Sequence, residues 1–199
     1  MEPNLIGRLA YPKSPAKIIG LSGKKQSGKD TVYQLADALM EGARIGRVAF
    51  GDAVRHEVSE ITGYSLDFIE EHKAEFRTLL QVWGTDFRRH FNGSEYWLEK
   101  MTGVIDKASS HYDVLFITDV RFSNEAEFVK NLGGKLVKVE RRQEVYQHIE
   151  DAVPDSHSSE TAMDDYSKYD YVINNNGSES ELTTAVSSML STLKIENAA

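Results

Sequence analysis

The stretch "GKKQSGKDT", from Gly23 to Thr31, nearly matches the pattern G-x-x-x-x-G-K-[ST]. In that pattern, consecutive backbone N–H groups and a helix N-terminus surround a phosphate, and the lysine reaches the β- and γ-phosphates. Gly23, Gly28 and Lys29 occupy the required positions. A β-rich run, Lys17–Leu21, precedes the loop and a helical pattern follows it. The sequence therefore predicts a nucleotide phosphate site, with a glycine-containing turn between strand and helix as the alternative.

The loop departs from the pattern at Asp30, where a serine or threonine hydroxyl would normally contact Mg²⁺. A carboxylate at this position can ligate Mg²⁺ directly or through water, because this ion prefers oxygen ligands. The hydroxyl of Thr31 would then bond a phosphate oxygen. The alternative for Asp30 is a first-turn charge that complements the helix dipole, and the two roles are compatible.

A second carboxylate ends the apolar run "VLFITDVR", which reads as a buried strand. Parallel α/β sheets bind ligands outside the carboxyl ends of their strands, so Asp119 is expected to hold the waters of Mg²⁺ or to orient an attacking oxygen. Two residues on, Arg121 can pair with a phosphate in a bidentate manner. A salt bridge between Asp119 and Arg121 is the alternative.

A third candidate is the segment Lys73–Phe91, whose periodicity predicts a helix. Its apolar stripe lies beside a polar line made of Lys73, Arg77, Gln81 and Arg88, which could receive an acceptor phosphate. The alternative is an amphipathic helix with a solvated basic face, and Gly84 could end the helix.

Two adjacent arginines, Arg141 and Arg142, open a polar stretch that runs to about Lys168. Phosphoryl transfer needs cations over the transferring group, and a mobile arm can supply them. A solvated pair of charges is the alternative. By itself, the run "SHSSE" from Ser156 to Glu160 reads as a loop.

These residues are carried by alternating strand and helix patterns. Strands are predicted at Lys17–Leu21, Arg47–Phe50, Asp113–Val120, Lys135–Arg141 and Asp170–Asn174, and the last helix at Ser178–Lys194. Alternation of this kind predicts a parallel sheet with helices on both faces. The extra helical content between Asp52 and Ser110 indicates an insertion at one edge.

The composition limits the classes of partner and site that we expect. The 199-residue chain has a formal net charge of −8, which argues against binding of a nucleic acid polymer through a general basic surface. It has no cysteine, which excludes disulfides and thiolate sites. There is no stretch of about 18 apolar residues and no leader pattern, so we expect no membrane association and a cytoplasmic location.

With these motifs assembled, the chain resembles the deoxynucleoside monophosphate kinases of tailed bacteriophages, which are P-loop kinases of the adenylate kinase type. The resemblance rests on "GKKQSGKDT", "RTLLQVWGTDFRR", "TDVRFSNEAEF" followed by "GG", "HSSE" and "VINNNGS". It implies a three-layer α/β/α fold with about five parallel strands, a helical acceptor-binding insertion and a lid. It also implies transfer of the γ-phosphoryl group of ATP, with Mg²⁺, to a deoxynucleoside 5′-monophosphate.

The resemblance assigns roles to residues in three groups. The loop would hold the ATP phosphates through Gly23, Lys24, Ser27, Gly28, Lys29, Asp30 and Thr31. The adenine would lie near Asn174 and Gly177. The monophosphate would meet Asp52, Arg55, Lys73, Arg77, Gln81, Trp83, Arg88, Tyr96, Trp97 and Arg121. Catalysis would use Lys29, Asp119, Arg121, Arg141 and Arg142, with Asp30 and Asp119 near the metal.

The expected organisation is a single domain over residues 1–199. Its core would comprise residues 17–50, 111–141 and 169–195, its acceptor-binding region residues 51–110 and its lid residues 142–168. The resemblance leaves a homodimer open, and a phage protein would work in the host cytoplasm. Two other functions stay in view: a P-loop kinase for a metabolite such as phosphomevalonate or dephospho-coenzyme A, and a nucleotide-binding switch with little turnover.

Overall fold

A computed structural model describes residues 14–142 and 158–195. Five strands form one fully parallel sheet in the order β2-β3-β1-β4-β5. The strands are β1 (Lys17–Ser22), β2 (Ile45–Val48), β3 (Val114–Val120), β4 (Lys135–Glu140) and β5 (Tyr171–Asn174). The predicted α/β fold with five parallel strands is confirmed. Because all strands are parallel, their carboxyl ends meet at one edge of the sheet.

Helices cover both faces of the sheet, as the apolar strands require. In β3, Val114 and Phe116 contribute to the core on one face, whereas Leu115 and Ile117 contribute to the core on the other. All four side chains are at most 1% exposed. The first face is covered by α1 (Lys29–Leu39) and α9 (Glu179–Thr192), and the second by α2 (Phe50–Thr62), α6 (Tyr96–Ala108) and α7 (Ser123–Asn131).

The helical insertion begins two residues earlier than the sequence pattern indicates. We predicted a strand up to Phe50, but β2 ends at Val48 and Phe50 is the first residue of α2. The cause is a contact between two elements that are distant in sequence. The carboxylate of Asp119, at the end of β3, accepts hydrogen bonds from the backbone N–H groups of Phe50 and Gly51, both at 2.8 Å. These bonds satisfy two donors that a helix N-terminus leaves free.

The rest of the insertion runs through α3 (Leu66–Glu71), α4 (Lys73–Gln81), a π-helical segment (Val82–Phe87) and α5 (Arg88–Phe91). Gly84 does not end the helix. It is buried, its carbonyl accepts a hydrogen bond from Trp97 Nε1 at 2.7 Å, and a Cβ there would lie 3.1 Å from a Val54 methyl carbon. A π-helical turn inserts an extra residue, so every later side chain is rotated by about 100° relative to a continuous α-helix.

The remaining short helix, α8 (Ser158–Thr161), corrects our prediction of a loop at "SHSSE". Its Ser159 and Glu160 are buried, and the Glu160 carboxylate pairs with Arg121, the residue after β3. Residues 143–157 of the predicted lid, including His157, lie outside the described residues. The division into core, acceptor-binding region and lid therefore stays a prediction. Within residues 14–142 and 158–195, no helix is long and apolar enough to cross a membrane.

Candidate active site

The loop between β1 and α1 has the conformation that its glycines permit. Gly28, the residue before α1, has a φ of +98°, and a Cβ at this position would overlap the side-chain amide of Asn175. A Cβ at Gly23 would overlap the carbonyl oxygen of Val139. The hydroxyl of Ser27 is buried and has no hydrogen-bond partner among the described residues. The loop therefore presents backbone and an unsatisfied polar atom, a fit to a phosphate group.

Lys29 folds back over this loop. Its ammonium donates hydrogen bonds to the carbonyl oxygens of Gly23 and Lys24, both at 2.8 Å. Burial, followed by the nearby charge of Arg121, lowers the pKa of Lys29 to about 8. The side chain is still mostly protonated at neutral pH. The loop thus carries a positive charge that can pair with an anion.

The loop is anchored by Asn175, a residue that our sequence reasoning missed. Its side-chain amide donates a hydrogen bond to the Ser27 carbonyl at 2.8 Å, and its backbone N–H donates to the Glu140 carbonyl at 2.7 Å. "VINNNGS" holds three consecutive asparagines, and nothing in the sequence distinguishes which of them faces the loop.

The two residues that we predict in this segment, Asn174 and Gly177, have different surroundings. The Asn174 side chain accepts a hydrogen bond from Asn176 and lines a cavity beside the loop. Gly177 precedes the N-cap of α9, where a Cβ would overlap the Glu181 carboxylate that completes the cap. The structure thus gives Gly177 a role in the N-terminus of α9.

The two predicted metal ligands differ in their surroundings. Asp119 is held at the sheet edge by the N–H groups of α2, and burial raises its pKa, although these two N–H groups and Arg121 act in the opposite direction. Asp30 is exposed in the first turn of α1. Among the described residues, no group of three His, Asp or Glu side chains could hold a metal ion. Magnesium binding by Asp30 and Asp119 stays a prediction.

A cavity of about 430 Å³, which we call cavity I, opens at the carboxyl ends of the strands between α2, α4 and α7. Part of its wall is apolar and includes Val54, Leu80, Trp97 and Phe122. Six cationic side chains of the described residues line it, against three carboxylates. The cations are Lys25, Arg55, Lys73, Arg77, Arg89 and Arg121, and the carboxylates are Asp119, Glu125 and Glu160. In a chain with a net charge of −8, this local excess of positive charge favours an anionic ligand.

Six of the ten predicted acceptor residues line cavity I: Arg55, Lys73, Arg77, Gln81, Trp97 and Arg121. Among them, Arg77 has no ion-pair or hydrogen-bond partner in the described part of the chain, whereas Lys73 pairs with Glu70 at 2.7 Å. Asp52 is outside the lining. It pairs with Arg55, which faces the cavity, and with Arg47 at 3.5 Å.

The other three predicted acceptor residues meet at Glu57, away from cavity I. The Glu57 carboxylate accepts hydrogen bonds from Arg88 Nε at 2.7 Å, from Trp83 Nε1 at 2.9 Å and from the Tyr96 hydroxyl. The guanidinium of Arg88 also stacks on the Trp83 and Tyr96 rings. Our prediction of Arg88 in the polar line assumed a continuous α-helix, and the π-helical segment moves the next residue, Arg89, into that place.

Arg89 is thus a second residue that the sequence reasoning missed. Its guanidinium lies 3.8 Å from the centroid of the Phe122 ring and pairs with Glu125. The same carboxylate accepts hydrogen bonds from the backbone N–H groups of Arg121, at 2.7 Å, and Phe122, at 3.2 Å. Burial raises the pKa of Glu125 to about 7, although Arg89 acts in the opposite direction. Glu125 therefore links both arginines to the start of α7.

A second cavity of about 470 Å³, cavity II, is lined by the start of the loop and by the end of β4. Its lining includes the predicted residues Gly23, Lys24, Arg141, Arg142 and Asn174. Arg121, Ser159 and Glu160 line both cavities and so form the wall between them. The two cavities therefore meet beside the phosphate-binding loop, with Arg121 at the junction.

Glu160 is the third residue of the site that the sequence reasoning missed, after Asn175 and Arg89. Its carboxylate pairs with Arg121 and accepts a hydrogen bond from the backbone N–H of Lys25 at 3.3 Å. Its carbonyl accepts one from Lys24 Nζ at 2.7 Å. The sequence offered only the motif "HSSE" as a signal, without a role for its glutamate.

Comparison with known proteins relates the sequence to a family. Residues 52–186 match the family described as deoxynucleotide monophosphate kinase. A putative deoxynucleotide monophosphate kinase of Acanthamoeba polyphaga mimivirus is 31% identical over 185 residues, which cover 80% of this chain and 88% of that protein.

Solved structures resemble the chain in fold. The crystal structure of APE1195 has a TM-score of 0.50 and 18% identity, and the match covers 92% of this chain and 97% of that one. Shikimate kinase from Aquifex aeolicus has a TM-score of 0.46 and 20% identity, with coverage of 89% and 96%.

Proposed function

The chain belongs to the deoxynucleotide monophosphate kinase family, and from this premise we propose that it transfers the γ-phosphoryl group of ATP to deoxynucleoside 5′-monophosphates and releases the diphosphates. The observation that carries the proposal is the pair of cation-lined cavities that meet at Arg121 beside the phosphate-binding loop. A kinase needs two anionic substrates side by side, and this arrangement offers a place for each.

The donor side is the loop and cavity II. The phosphates of ATP would lie against the loop amides, the Ser27 hydroxyl and the Lys29 ammonium, and the rest of the nucleotide would extend into cavity II toward Asn174. When bound, ATP supplies the phosphoryl group that is transferred. Lys29 would exchange its hydrogen bonds with the Gly23 and Lys24 carbonyls for bonds to phosphate oxygens. An ammonium forms a stronger hydrogen bond with an anionic phosphate oxygen than with a neutral carbonyl.

The acceptor side is cavity I. Arg77 and Arg55 would bind the monophosphate, and the apolar wall that includes Trp97 and Phe122 would pack against the sugar and base. Arg77 is suited to this role because its guanidinium has no ion-pair partner within the described ranges. The amide of Gln81 faces the same cavity and could hydrogen-bond the base edge.

The chemistry asks for positioning and charge stabilisation more than for a base. An attacking phosphate oxygen is already anionic at neutral pH, so no residue has to remove a proton. Lys29 and Arg121, one in the loop and one at the junction, would offset the negative charge that develops between donor and acceptor. Arg141 and Arg142, in the lining of cavity II, would add to this charge.

Magnesium would be held from the side of Asp30 and Asp119, whose carboxylates provide the oxygen ligands that this ion prefers. Asp30 is exposed at the start of α1, where it can act directly or through water. The substitution Asp30→Ala should raise the Mg²⁺ concentration needed for half-maximal rate. An unchanged Mg²⁺ dependence would remove Asp30 from the metal site.

A switch that only binds nucleotide would need the loop but no second cationic cavity. Cavity I therefore favours an enzyme. Another phosphorylated acceptor, such as dephospho-coenzyme A, would use the same cations, so the acceptor has to be identified by activity.

The experiment is an ADP-release assay with ATP, Mg²⁺ and each of the four common deoxynucleoside monophosphates, with dephospho-coenzyme A and phosphomevalonate as comparison acceptors. We expect that the amount of ADP released increases with the amount of at least one deoxynucleoside monophosphate, and that Lys29→Ala releases none. Release of ADP with a comparison acceptor only, or with none, would refute the proposed function.

A further inference from the structure

The carboxylate of Glu160 stands at the junction of cavities I and II. Its side chain is only 4% exposed, yet the residue lines both cavities. Among the described residues, its hydrogen-bond donors are the guanidinium of Arg121 and the backbone N–H of Lys25 in the phosphate-binding loop. Both kinds of donor also bind phosphate groups in proteins.

The carboxyl group of Glu160 stays charged although it is buried. Burial acts to raise the pKa of Glu160, but Arg121 and its hydrogen bonds outweigh burial, and the pKa is lowered. The carboxylate is therefore ionised at neutral pH. Its charge also acts to raise the pKa of Lys29, a cation of the loop. In the structure, the anion that these groups hold is supplied by the protein itself.

We propose that Glu160 is an internal competitor of the substrate phosphates: it holds Arg121 until a phosphate group at the junction takes its place. The inference rests on the proposed function, because it assumes that a monophosphate binds beside Arg121. A purely structural role would be different. Glu160 would then only support Arg121 and the loop, and its removal would weaken phosphate binding.

The two roles predict opposite signs for one variant. Glu160→Gln keeps the size of the side chain and an oxygen for Lys25 N–H, but removes the charge that competes for Arg121. If Glu160 competes, the variant binds a deoxynucleoside monophosphate at least tenfold more tightly than the wild type does. If Glu160 only supports the site, the variant binds the monophosphate with equal or lower affinity.

The measurement is isothermal titration calorimetry of each of the four common deoxynucleoside monophosphates into the full-length protein, in a phosphate-free buffer without ATP. The matched control is Glu127→Gln, which removes the same charge at a site that contacts Tyr166 and Lys168 and lines neither cavity. Its affinity should stay within twofold of the wild type. A gain in the control equal to that of Glu160→Gln would attribute the effect to net charge and overturn the inference.

The outcomes separate the two proposals. If the wild type binds a monophosphate and Glu160→Gln binds it no more tightly, the inference fails and the proposed function stands. If neither protein binds any of the four, both fail. Should Glu160→Gln not fold, Glu160→Asp withdraws the carboxylate by one methylene group and should give a smaller gain in affinity. The absence of any gain in that variant would also overturn the inference.

Discussion

Two arginines eleven residues apart on the same helical region should separate acceptor binding from stability. Arg77 lines cavity I and has no partner in the part of the chain that the structure describes. Arg88 lies outside the cavity and pairs with Glu57. The substitutions Arg77→Gln and Arg88→Gln each remove one positive charge, so the net charge of the protein changes equally in both.

The expected magnitudes follow from these contacts. A hydrogen bond to a charged group contributes about 1.5–3 kcal/mol, so the loss of Arg77 should raise the KM for the monophosphate about 10- to 150-fold. Its removal leaves no group unpaired within residues 14–142 and 158–195, so the melting temperature should change by less than about 2 °C. The loss of Arg88 leaves Glu57 with the Trp83 and Tyr96 donors and with the ammonium of Lys100 at 3.6 Å. We expect it to cost about 2 kcal/mol, or about 4–8 °C in melting temperature for a chain of this size.

The assay combines steady-state kinetics, with the monophosphate varied at saturating ATP, and thermal unfolding of both variants. Arg77→Gln should shift the KM for the monophosphate and leave the KM for ATP within about threefold. Arg88→Gln should lower the melting temperature and leave both KM values near those of the wild type. The opposite pattern, a KM effect in Arg88→Gln and none in Arg77→Gln, would refute the geometry of the helix and of cavity I.

Three further predictions concern the phosphate-binding loop. Gly28→Ala should abolish measurable ATP binding by calorimetry, because the added Cβ overlaps Asn175. Gly42→Ala is the control: it is also at positive φ, but its Cβ would meet no described residue beyond its chain neighbours within 4 Å, so it should lower stability by about 1–3 kcal/mol and leave ATP binding intact. Equal ATP affinity in both variants would contradict the overlap. Asn175→Ala removes the 2.8 Å hydrogen bond to the Ser27 carbonyl and should weaken ATP binding about fivefold, and an unchanged affinity would show that the loop needs no such anchor. Because the pKa of Lys29 is lowered to about 8, its charge is present below that pH and lost above it, so kcat/KM for ATP should fall as pH rises through about 8. A profile that stays level to pH 10 would exclude a role for the Lys29 charge in binding ATP.

The sequence predicted the elements that local pattern determines. The strand before the loop, the glycines at Gly23 and Gly28, and the buried strand that ends in Asp119 are each visible within a few neighbouring residues. The apolar strands also determine the layered α/β arrangement, since a parallel sheet must be covered on both faces.

What the sequence could not predict depends on contacts between distant segments. The start of α2 at Phe50 is determined by Asp119, 69 residues later. The π-helical segment forms where Gly84 packs against Val54 and Trp97, and this packing decides that Arg89, rather than Arg88, faces cavity I. No periodicity in the sequence reports such an inserted residue.

The polar residues at the junction were missed for a similar reason. Glu160 lies 39 residues from Arg121 in sequence, and Asn175 lies 148 residues from Ser27. Their roles come from the way the strand ends meet at one edge of the sheet. A short motif such as "HSSE" can indicate a family but does not show which atoms its glutamate contacts.

The central claim is that the phosphate-binding loop and cavity I hold a donor and an acceptor for direct transfer. Its most direct test is to incubate the protein with ATP labelled at the γ-phosphate, Mg²⁺ and a deoxynucleoside monophosphate, and to separate the products by chromatography. We predict that the label appears in the deoxynucleoside diphosphate, and that Lys29→Ala abolishes this product. Label found only in inorganic phosphate, or retained in ATP with all four monophosphates, would contradict the claim.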